Sequence, residues 1–254
     1  VDVSNTNAYP HLLSILAQVE VFAYGSQGYG TLQELMILEE WFQKIDPDVV
    51  IIQFCPNDFI NNSLALERKS YLNRNGMRRP YMTPEGHVVH AMPASFAWLR
   101  HIANKHSRLA YFVISRLDLR VAARRQSESV ETLINQQGMD FPDFKYAVDV
   151  TRHLFGRLAK SADGATLMAF DVSTAEPYHA AFREILESGH IEEIQGVAAA
   201  LQHAEQAGQI VRARDGSHWN NEGHRIVANV IAAHLAKTQA DLMKASDNPH
   251  PKQP

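Results

Sequence analysis

The chain has 254 residues, of which 45% are hydrophobic, and a formal net charge of −4 at pH 7. A chain of this length and composition can bury one sizeable core, so we predict a single domain over residues 1–246. The net negative charge argues against a nucleic-acid-binding protein that neutralises phosphates. Segment 247–254 is polar and proline-rich, and we expect it to be disordered.

Composition also limits the cofactor and membrane classes. Cys55 is the single cysteine, which excludes intrachain disulfides and a cysteine-based zinc site. The histidines of the middle segment lack carboxylates at metal-ligand spacing, so we expect no metal site. The longest apolar runs are too short to span a bilayer, and no signal peptide is visible.

The spacing of apolar residues predicts strands that alternate with helices. Predicted strands cover Val19–Tyr24, Asp48–Phe54, Ala165–Val172 and Gln209–Ala213. Predicted helices cover Tyr9–Gln18, Thr31–Ile45, Asp143–Ser161, Pro177–Ser188 and Ile191–Ala207, and a last helix follows Asn221. This alternation indicates a parallel sheet covered on both faces, with ligands at the carboxyl ends of its strands.

A glycine-rich turn, Gly25-Ser-Gln-Gly28-Tyr-Gly30, follows the first predicted strand. Glycine at a strand-to-helix turn lets the backbone approach a ligand and present an N–H group. The spacing differs from the G-x-G-x-x-G of a dinucleotide loop. Ser26 lacks the first glycine of a G-x-S-x-G elbow, so it is a minor candidate for a nucleophile.

The second predicted strand ends at Asn57-Asp58. A carboxamide at this position can donate hydrogen bonds beside the glycine turn. Gly28 and Asn57 would then supply two donors for a developing oxyanion. We interpret Asp58 as a structural acid that orients its loop.

An insertion over about 63–138 interrupts the α/β pattern. Tyr71–His90 is predicted to be irregular or a small hairpin, and Ala94–Arg125 helical. This helix either packs on the core or forms a lid that presents Phe96, Trp98, Tyr111 and Phe112 to a substrate. The basic stretch Arg116, Arg120, Arg124 and Arg125 is either a solvated face or a docking surface for anionic headgroups or polysaccharide.

Near the C-terminus, Asp215-Gly-Ser-His218 precedes an amphipathic helix that we expect Asn221 to cap. An acid three residues before a histidine can hold the imidazole by its Nδ1–H, which leaves the other nitrogen free to accept a proton. The alternative is a surface loop with no catalytic role. His224 is interpreted as a structural or capping histidine.

Taken in order, Gly28, Asn57 and Asp215-x-x-His218 resemble three sequence blocks of the SGNH/GDSL hydrolases, which are serine esterases and acyl hydrolases. Each block alone is weak, but the ordered set covers most of the chain outside the insertion. The resemblance implies a three-layer flavodoxin-like sheet flanked by helices. It also implies His218 as general base, Asp215 as its orienting acid, Gly28 and Asn57 as oxyanion donors, and no cofactor.

The family's Gly-Asp-Ser block, which carries the nucleophile, is not found. We therefore expect a fragment whose first strand and serine lie upstream of Val1, since Ser4 has neither a preceding glycine nor a strand before it. Ala23 and Cys55 stand where many members have asparagine and glycine, and Pro56 restricts the approach to Asn57.

The resemblance implies a carboxylic ester hydrolase that acts on a small-molecule or glycan ester. Two alternatives stay open: an O-acyltransferase that acts on a polysaccharide, and a non-catalytic carbohydrate- or ligand-binding module without the nucleophile. The family favours a periplasmic or secreted location. The oligomeric state does not follow from these residues.

Overall fold

A computed structural model describes residues 3–26, 28–70, 73, 78–83, 85–92, 102, 106–124 and 129–246. Over these residues the chain is an α/β protein with a three-stranded parallel sheet flanked by helices. It divides into two compact units. The terminal unit comprises Val1–Ala23 and Ile194–Pro254, and the central unit comprises Tyr24–Glu193.

The helices and strands are named in chain order. The α-helices are α1 (Tyr9–Ala17), α2 (Thr31–Ile45), α3 (Asn57–Asn62), α4 (Leu64–Lys69), α5 (Arg108–Arg124), α6 (Val130–Gln137), α7 (Pro142–Ser161), α8 (Tyr178–Gly189), α9 (Val197–Gln206) and α10 (Asn221–Ser246). The strands are β1 (Val49–Phe54), β2 (Arg79–Met82), β3 (Val88–Ala91), β4 (Thr166–Asp171) and β5 (Glu192–Glu193).

The parallel sheet of the central unit has the order β1-β4-β5. β1 and β4 are in register from Val49 opposite Thr166 to Phe54 opposite Asp171. The two strands therefore end side by side. The residues that follow β1 and the last residue of β4 consequently lie at one carboxyl edge, where open α/β sheets bind ligands.

Aromatic side chains fill much of the core of the central unit. The Phe54 ring stacks on Phe182 at a centroid distance of 4.5 Å and meets Phe59 edge-on at 4.9 Å. Phe155, from the buried face of α7, also meets Phe54 edge-on. All four rings are almost fully buried. The end of β1 is therefore held in place by packing on three sides.

The hairpin of β2 and β3 matches the expectation for Tyr71–His90, and it is antiparallel. Buried polar groups anchor it: Arg79 lies 3.5 Å from Glu67, and the Tyr81 hydroxyl donates to Glu67 at 3.0 Å. Arg79 also donates to Gln33 of α2 at 3.0 Å. A buried ion pair that loses one partner leaves an uncompensated charge, which costs about 3–5 kcal/mol.

In the terminal unit, α1 and α9 both pack on α10. Val227 and Ile231, on the apolar side of the predicted amphipathic helix, are fully buried. His224 accepts a hydrogen bond from the backbone N–H of Tyr9 at 3.2 Å, and its ring stacks on that of Tyr9. His224 therefore caps the first turn of α1, as the structural interpretation of this histidine predicted.

Two predicted strands are wrong. Val19–Tyr24 forms no strand, and Val19, Phe22 and Tyr24 are about half exposed, because the segment has no strand partner among the described residues. Gln209–Ala213 is reduced to an isolated bridge between Arg212 and Trp219.

Two further boundaries differ from the prediction. The helix predicted from Ile191 begins only at Val197, because Glu192–Glu193 pairs with β4 and Gly196 has a left-handed φ of 89°. Asn220, rather than Asn221, caps α10: its Oδ1 accepts the backbone N–H groups of Glu222 and Gly223.

Part of the insertion lies outside the described residues, including Phe96, Trp98 and the side chain of Tyr111. Of the helix predicted over Ala94–Arg125, the part from Arg108 to Arg124 is present as α5, and its Phe112 is 56% exposed, so Phe112 does not pack in the core. Segment 247–254 also lies outside the described residues. Among the helices that the structure describes, none is long and apolar enough to cross a membrane.

Candidate functional site

Asp215 and His218 lie in a short loop that an isolated antiparallel bridge closes at Arg212 and Trp219. Inside the bridge, the Ala213 N–H donates to the carbonyl oxygen of His218 at 2.8 Å. Gly216 has a φ of 75°, a left-handed conformation that a glycine adopts without strain. The chain therefore reverses tightly between the acid and the histidine.

The Asp215 carboxylate uses both oxygens within this loop. Oδ1 accepts the backbone N–H groups of Ser217 at 2.9 Å and His218 at 3.0 Å. Oδ2 contacts Nδ1 of the His218 ring at 2.6 Å. With the ring proton on Nδ1, the lone pair lies on Nε2, which is the arrangement of a general base.

These contacts stabilise the charged carboxylate. The backbone N–H groups of His218 and Ser217, followed by the His218 ring, hold the pKa of Asp215 well below its ordinary value. Asp215 therefore carries its charge throughout the physiological range. Both side chains are about half exposed, so solvent screens their attraction.

Hydrogen bonds and ring packing at the two ends of this loop hold it in place. Arg212 donates to the carbonyl oxygen of Ser217 at 3.1 Å and to Glu205 of α9 at 2.7 Å. The Trp219 ring is buried and meets the rings of Tyr9 and His224 edge-on. The residue after His218 is thus fixed by packing, which limits the orientations open to the imidazole.

A cleft of about 610 Å³ lies beside this loop in the terminal unit. Arg212, Ala213 and Arg214 line one part of it, and the first turn of α10 lines another. Its lining residues are Val3, Asn7, Leu12, Arg212, Ala213, Arg214, Asn220, Asn221, Glu222 and Arg225. Asp215 and His218 are not among these lining residues, so the cleft borders the loop without including the acid–imidazole pair.

Gly28 occupies the turn that leads into α2. Its φ of 78° is left-handed, and the N–H of Tyr29 donates to the carbonyl oxygen of Ser26 at 3.1 Å. Gly30 precedes the helix, and its N–H donates to Oε1 of Gln33 at 3.0 Å. The left-handed φ accounts for a glycine at position 28, and the role of its N–H as an oxyanion donor stays a prediction.

Asn57 is the first residue of α3, directly after β1. Its Nδ2 donates to Oδ1 of Asn61 at 2.9 Å, and Asn61 in turn donates to the carbonyl oxygen of Asn73 at 2.9 Å. A carboxamide nitrogen carries two hydrogens. This bond therefore orients the Asn57 side chain and leaves its second N–H for another acceptor.

Asp58, the next residue, is buried and lies within electrostatic range of Glu34, Arg79 and Asp171. Its Oδ2 accepts the N–H of Cys55 at 2.8 Å. Burial raises the pKa of Asp58 to about 7, although the Cys55 N–H and Arg79 act in the opposite direction. Burial also raises the pKa of Glu34, with the Asp58 charge as a second cause. The loop-orienting role expected for Asp58 agrees with its bond to Cys55.

A second acid–imidazole pair lies at the carboxyl edge of the sheet. Asp171, the last residue of β4, contacts Nδ1 of His179 at 3.2 Å and accepts the N–H of Ser173 at 3.0 Å. The acid is buried and His179 is about a quarter exposed. Burial raises the pKa of Asp171 to about 6, and the Ser173 N–H and His179 oppose that rise.

Sequence reasoning missed this second pair. An acid at the end of a predicted strand was a usable signal for Asp171. His179, however, lies eight residues later on the following helix, and no short spacing links the two residues.

The four residues predicted from the sequence fall in two units. Gly28 and Asn57 lie in the central unit, and Asp215 and His218 lie in the terminal unit. The structure brings Asp215 and His218 into direct contact. That all four residues act on one substrate stays a prediction. Within the described ranges, no cluster of three or more His, Cys, Asp or Glu side chains is suited to a metal ion.

Comparisons with models of protein families, with curated proteins and with solved structures found no match.

Proposed function

We propose that this chain belongs to a serine-dependent carboxylic ester hydrolase of the SGNH type, on a flavodoxin-like sheet. The observation that carries the proposal is the 2.6 Å contact between Asp215 Oδ2 and His218 Nδ1, within a loop where Asp215 Oδ1 accepts two backbone N–H groups. A pair held in this way needs little rearrangement before it accepts a proton.

In the proposed reaction, a serine Oγ attacks the ester carbonyl carbon and its proton passes to Nε2 of His218. Asp215 holds the Nδ1–H and stabilises the imidazolium that forms. The N–H of Gly28 and Nδ2 of Asn57 donate to the oxyanion, and each such donor typically contributes about 3–4 kcal/mol to transition-state stabilisation. The imidazolium then protonates the leaving alkoxide, and water releases the acyl group by the same steps.

The serine is the part of the proposal that residues 1–254 do not supply, since they contain no Gly-Asp-Ser sequence. In the proposed enzyme that serine lies ahead of Val1, as the family resemblance implies. The gene sequence that precedes the codon of Val1 is the direct check. A strand followed by Gly-Asp-Ser there supports the enzyme, and a start codon at that point supports the non-catalytic binding module.

The kinetic test uses a polypeptide that carries the Gly-Asp-Ser segment, with p-nitrophenyl acetate as substrate. We expect His218→Gln and Asp215→Asn to lower kcat by roughly 10⁴-fold, because the base is lost or held in the wrong tautomer. His203→Gln changes an exposed histidine of α9 and is the matched control. Unchanged kcat in His218→Gln would sink the proposal.

The oxyanion donor is tested in the same assay. Asn57→Ala should lower kcat by about 10²- to 10³-fold with little change in KM, because the donor acts mainly in the transition state. Asn135→Ala, at an exposed position of α6, is the control. A combined Asn57→Ala and His218→Gln variant should lose less than the product of the single losses, because both residues serve one chemical step.

The O-acyltransferase would use the same residues, and the acceptor distinguishes it from the hydrolase. In a transferase, an added polysaccharide hydroxyl should raise the rate at which the acyl group leaves the enzyme and should itself become acylated. In a hydrolase, water alone should release the acyl group at the full rate.

A further inference from the structure

The helix α5 (Arg108–Arg124) leaves an apolar face in solvent. Leu109, Phe112, Val113 and Leu117 are between 45% and 72% exposed. Their spacing of i, i+3, i+4 and i+8 places them along one side of the helix. Single exposed apolar residues are normal on a protein surface. A contiguous apolar stripe is instead typical of a surface that binds a protein, a membrane or a ligand.

Arginines lie on the same side of α5. Arg116 and Arg120 continue the spacing at i+7 and i+11 from Leu109, and both are exposed. The guanidinium of Arg116 lies over the ring of Phe112, 5.3 Å from its centroid. The exposed face of α5 therefore combines apolar side chains with positively charged guanidinium groups.

The charge of α5 is opposite to that of the chain as a whole. Its seventeen residues contain four arginines and one aspartate, which gives +3, whereas the chain carries −4. Placing this charge on one helix of an acidic protein makes a local positive field. Such a field attracts a negatively charged surface and is weakened by salt.

We propose that α5 is a docking helix that lies in the headgroup layer of an anionic lipid surface. Leu109, Phe112, Val113 and Leu117 enter the boundary with the acyl chains, to a depth of about 5–10 Å. Arg116 and Arg120 reach outward along their aliphatic stems to the lipid phosphates. This surface is independent of the esterase proposal, because it uses none of the proposed catalytic residues.

A second copy of the chain fits this face less well. Two α5 helices would each bring a charge of +3 to the contact, and like charges repel when they are brought together and desolvated. A lid over a substrate would need the apolar stripe but would not need the arginines. An anionic lipid surface offers acyl chains to the apolar side chains of α5 and phosphates to its arginines.

The test measures co-sedimentation of the protein with vesicles of phosphatidylglycerol mixed with phosphatidylcholine, and with vesicles of phosphatidylcholine alone. We expect binding to the anionic vesicles that weakens at high salt, and little binding to the neutral vesicles. Arg116→Gln with Arg120→Gln should lower the partition coefficient by about 25-fold, or about fivefold for each arginine near the surface.

Apolar variants test the other part of the face. Phe112→Ser with Leu117→Ser should lower the partition coefficient on anionic vesicles by more than about tenfold, because each side chain loses its transfer from water. Matched controls are Met36→Ser, an exposed apolar residue of α2, and Lys160→Gln, an exposed cation of α7. All four positions changed in α5 are exposed, so thermal unfolding should be unaffected.

Three results would overturn the proposal. One is binding to anionic vesicles that persists in both α5 variants. Another is a dimer in sedimentation equilibrium that the Phe112→Ser and Leu117→Ser variant abolishes, which would assign the face to a second copy. The third is a failure of the wild-type protein to bind either kind of vesicle.

Discussion

The two acid–imidazole pairs of this chain differ in what surrounds the acid. Asp215 is about half exposed and is held by two backbone N–H groups, which lower its pKa. Asp171 is buried, and desolvation raises its pKa to about 6 despite the contact with His179. At neutral pH the first acid is firmly charged, whereas the second lies within reach of protonation. A permanent anion is what a histidine base needs beside it.

The buried carboxyl group of Asp58 makes the stability of the fold depend on pH. Its pKa of about 7 in the fold lies above the ordinary value of 3.8, so the folded state binds the proton more tightly than the unfolded state. This contribution to stability is complete below about pH 4 and is lost as the pH rises through about 7. Asp58→Asn should remove that loss, because its side-chain oxygen can still accept the Cys55 N–H without carrying a charge.

The measurement is the free energy of unfolding by urea at several pH values between about 4 and 8. Wild type should lose a few kcal/mol across this range relative to Asp58→Asn. Asp163→Asn is the control, because Asp163 is an exposed acid that follows α7. Parallel pH curves for wild type and Asp58→Asn would contradict the raised pKa.

The start of α10 packs directly against the loop that carries His218. A Cβ added to Gly223 would lie 2.5 Å from the carbonyl oxygen of Val211 and 2.8 Å from Cβ of Trp219. Both distances are shorter than the contacts that Cβ atoms make in proteins. The carbonyl oxygen can move away only if the main chain of the loop shifts. The missing side chain therefore lets the helix and the loop meet.

Gly223→Ala should destabilise the protein by about 1–3 kcal/mol, because the helix must shift to relieve the clash. Gly156→Ala is the matched control: this glycine lies inside α7, and an added Cβ would contact nothing within 4 Å. The control should stabilise by about 0.5–1 kcal/mol, since alanine favours a helix over glycine. Urea unfolding of both variants checks the prediction, which fails if Gly223→Ala is as stable as wild type.

The two units carry titratable groups whose pKa shifts make stability depend on pH in opposite directions. In the central unit the pKa values of Asp58 and Asp171 are raised, so the folded state holds protons and stability falls as the pH rises. In the terminal unit, burial lowers the pKa of His224, whose Nδ1 must stay unprotonated to accept the Tyr9 N–H. Stability there falls as the pH drops below the ordinary value of 6.5.

Lowering the pH from about 7.5 to about 5 should therefore slow hydrogen exchange in α7 and accelerate it in α1 and the first turn of α10. The measurement is hydrogen–deuterium exchange by mass spectrometry, corrected for the intrinsic effect of pH on exchange. His224→Gln should abolish the change in α1 and leave the change in α7. A shift of the same sign in both units would count against the prediction.

Local sequence patterns were sufficient to predict several helices, one strand and one side-chain contact of this molecule. The helical periodicity of Thr31–Ile45 and the apolar run that became β1 needed no distant partner to be recognised, and both matched the structure closely. Asp215 and His218 meet because only two residues, Gly216 and Ser217, lie between them in a tight turn, so their spacing already implied the contact. The sequence by itself determined these features because neighbouring residues produce them.

Features that depend on residues far apart in the chain could be seen only in the folded molecule. Val19–Tyr24 has the composition of a strand, yet a strand exists only where another strand pairs with it. The contact of Asp171 with His179 and the ion pair of Arg79 with Glu67 depend on where a helix and a hairpin pack. Burial, which sets the raised pKa values of Asp58 and Asp171, is likewise a sum over distant neighbours.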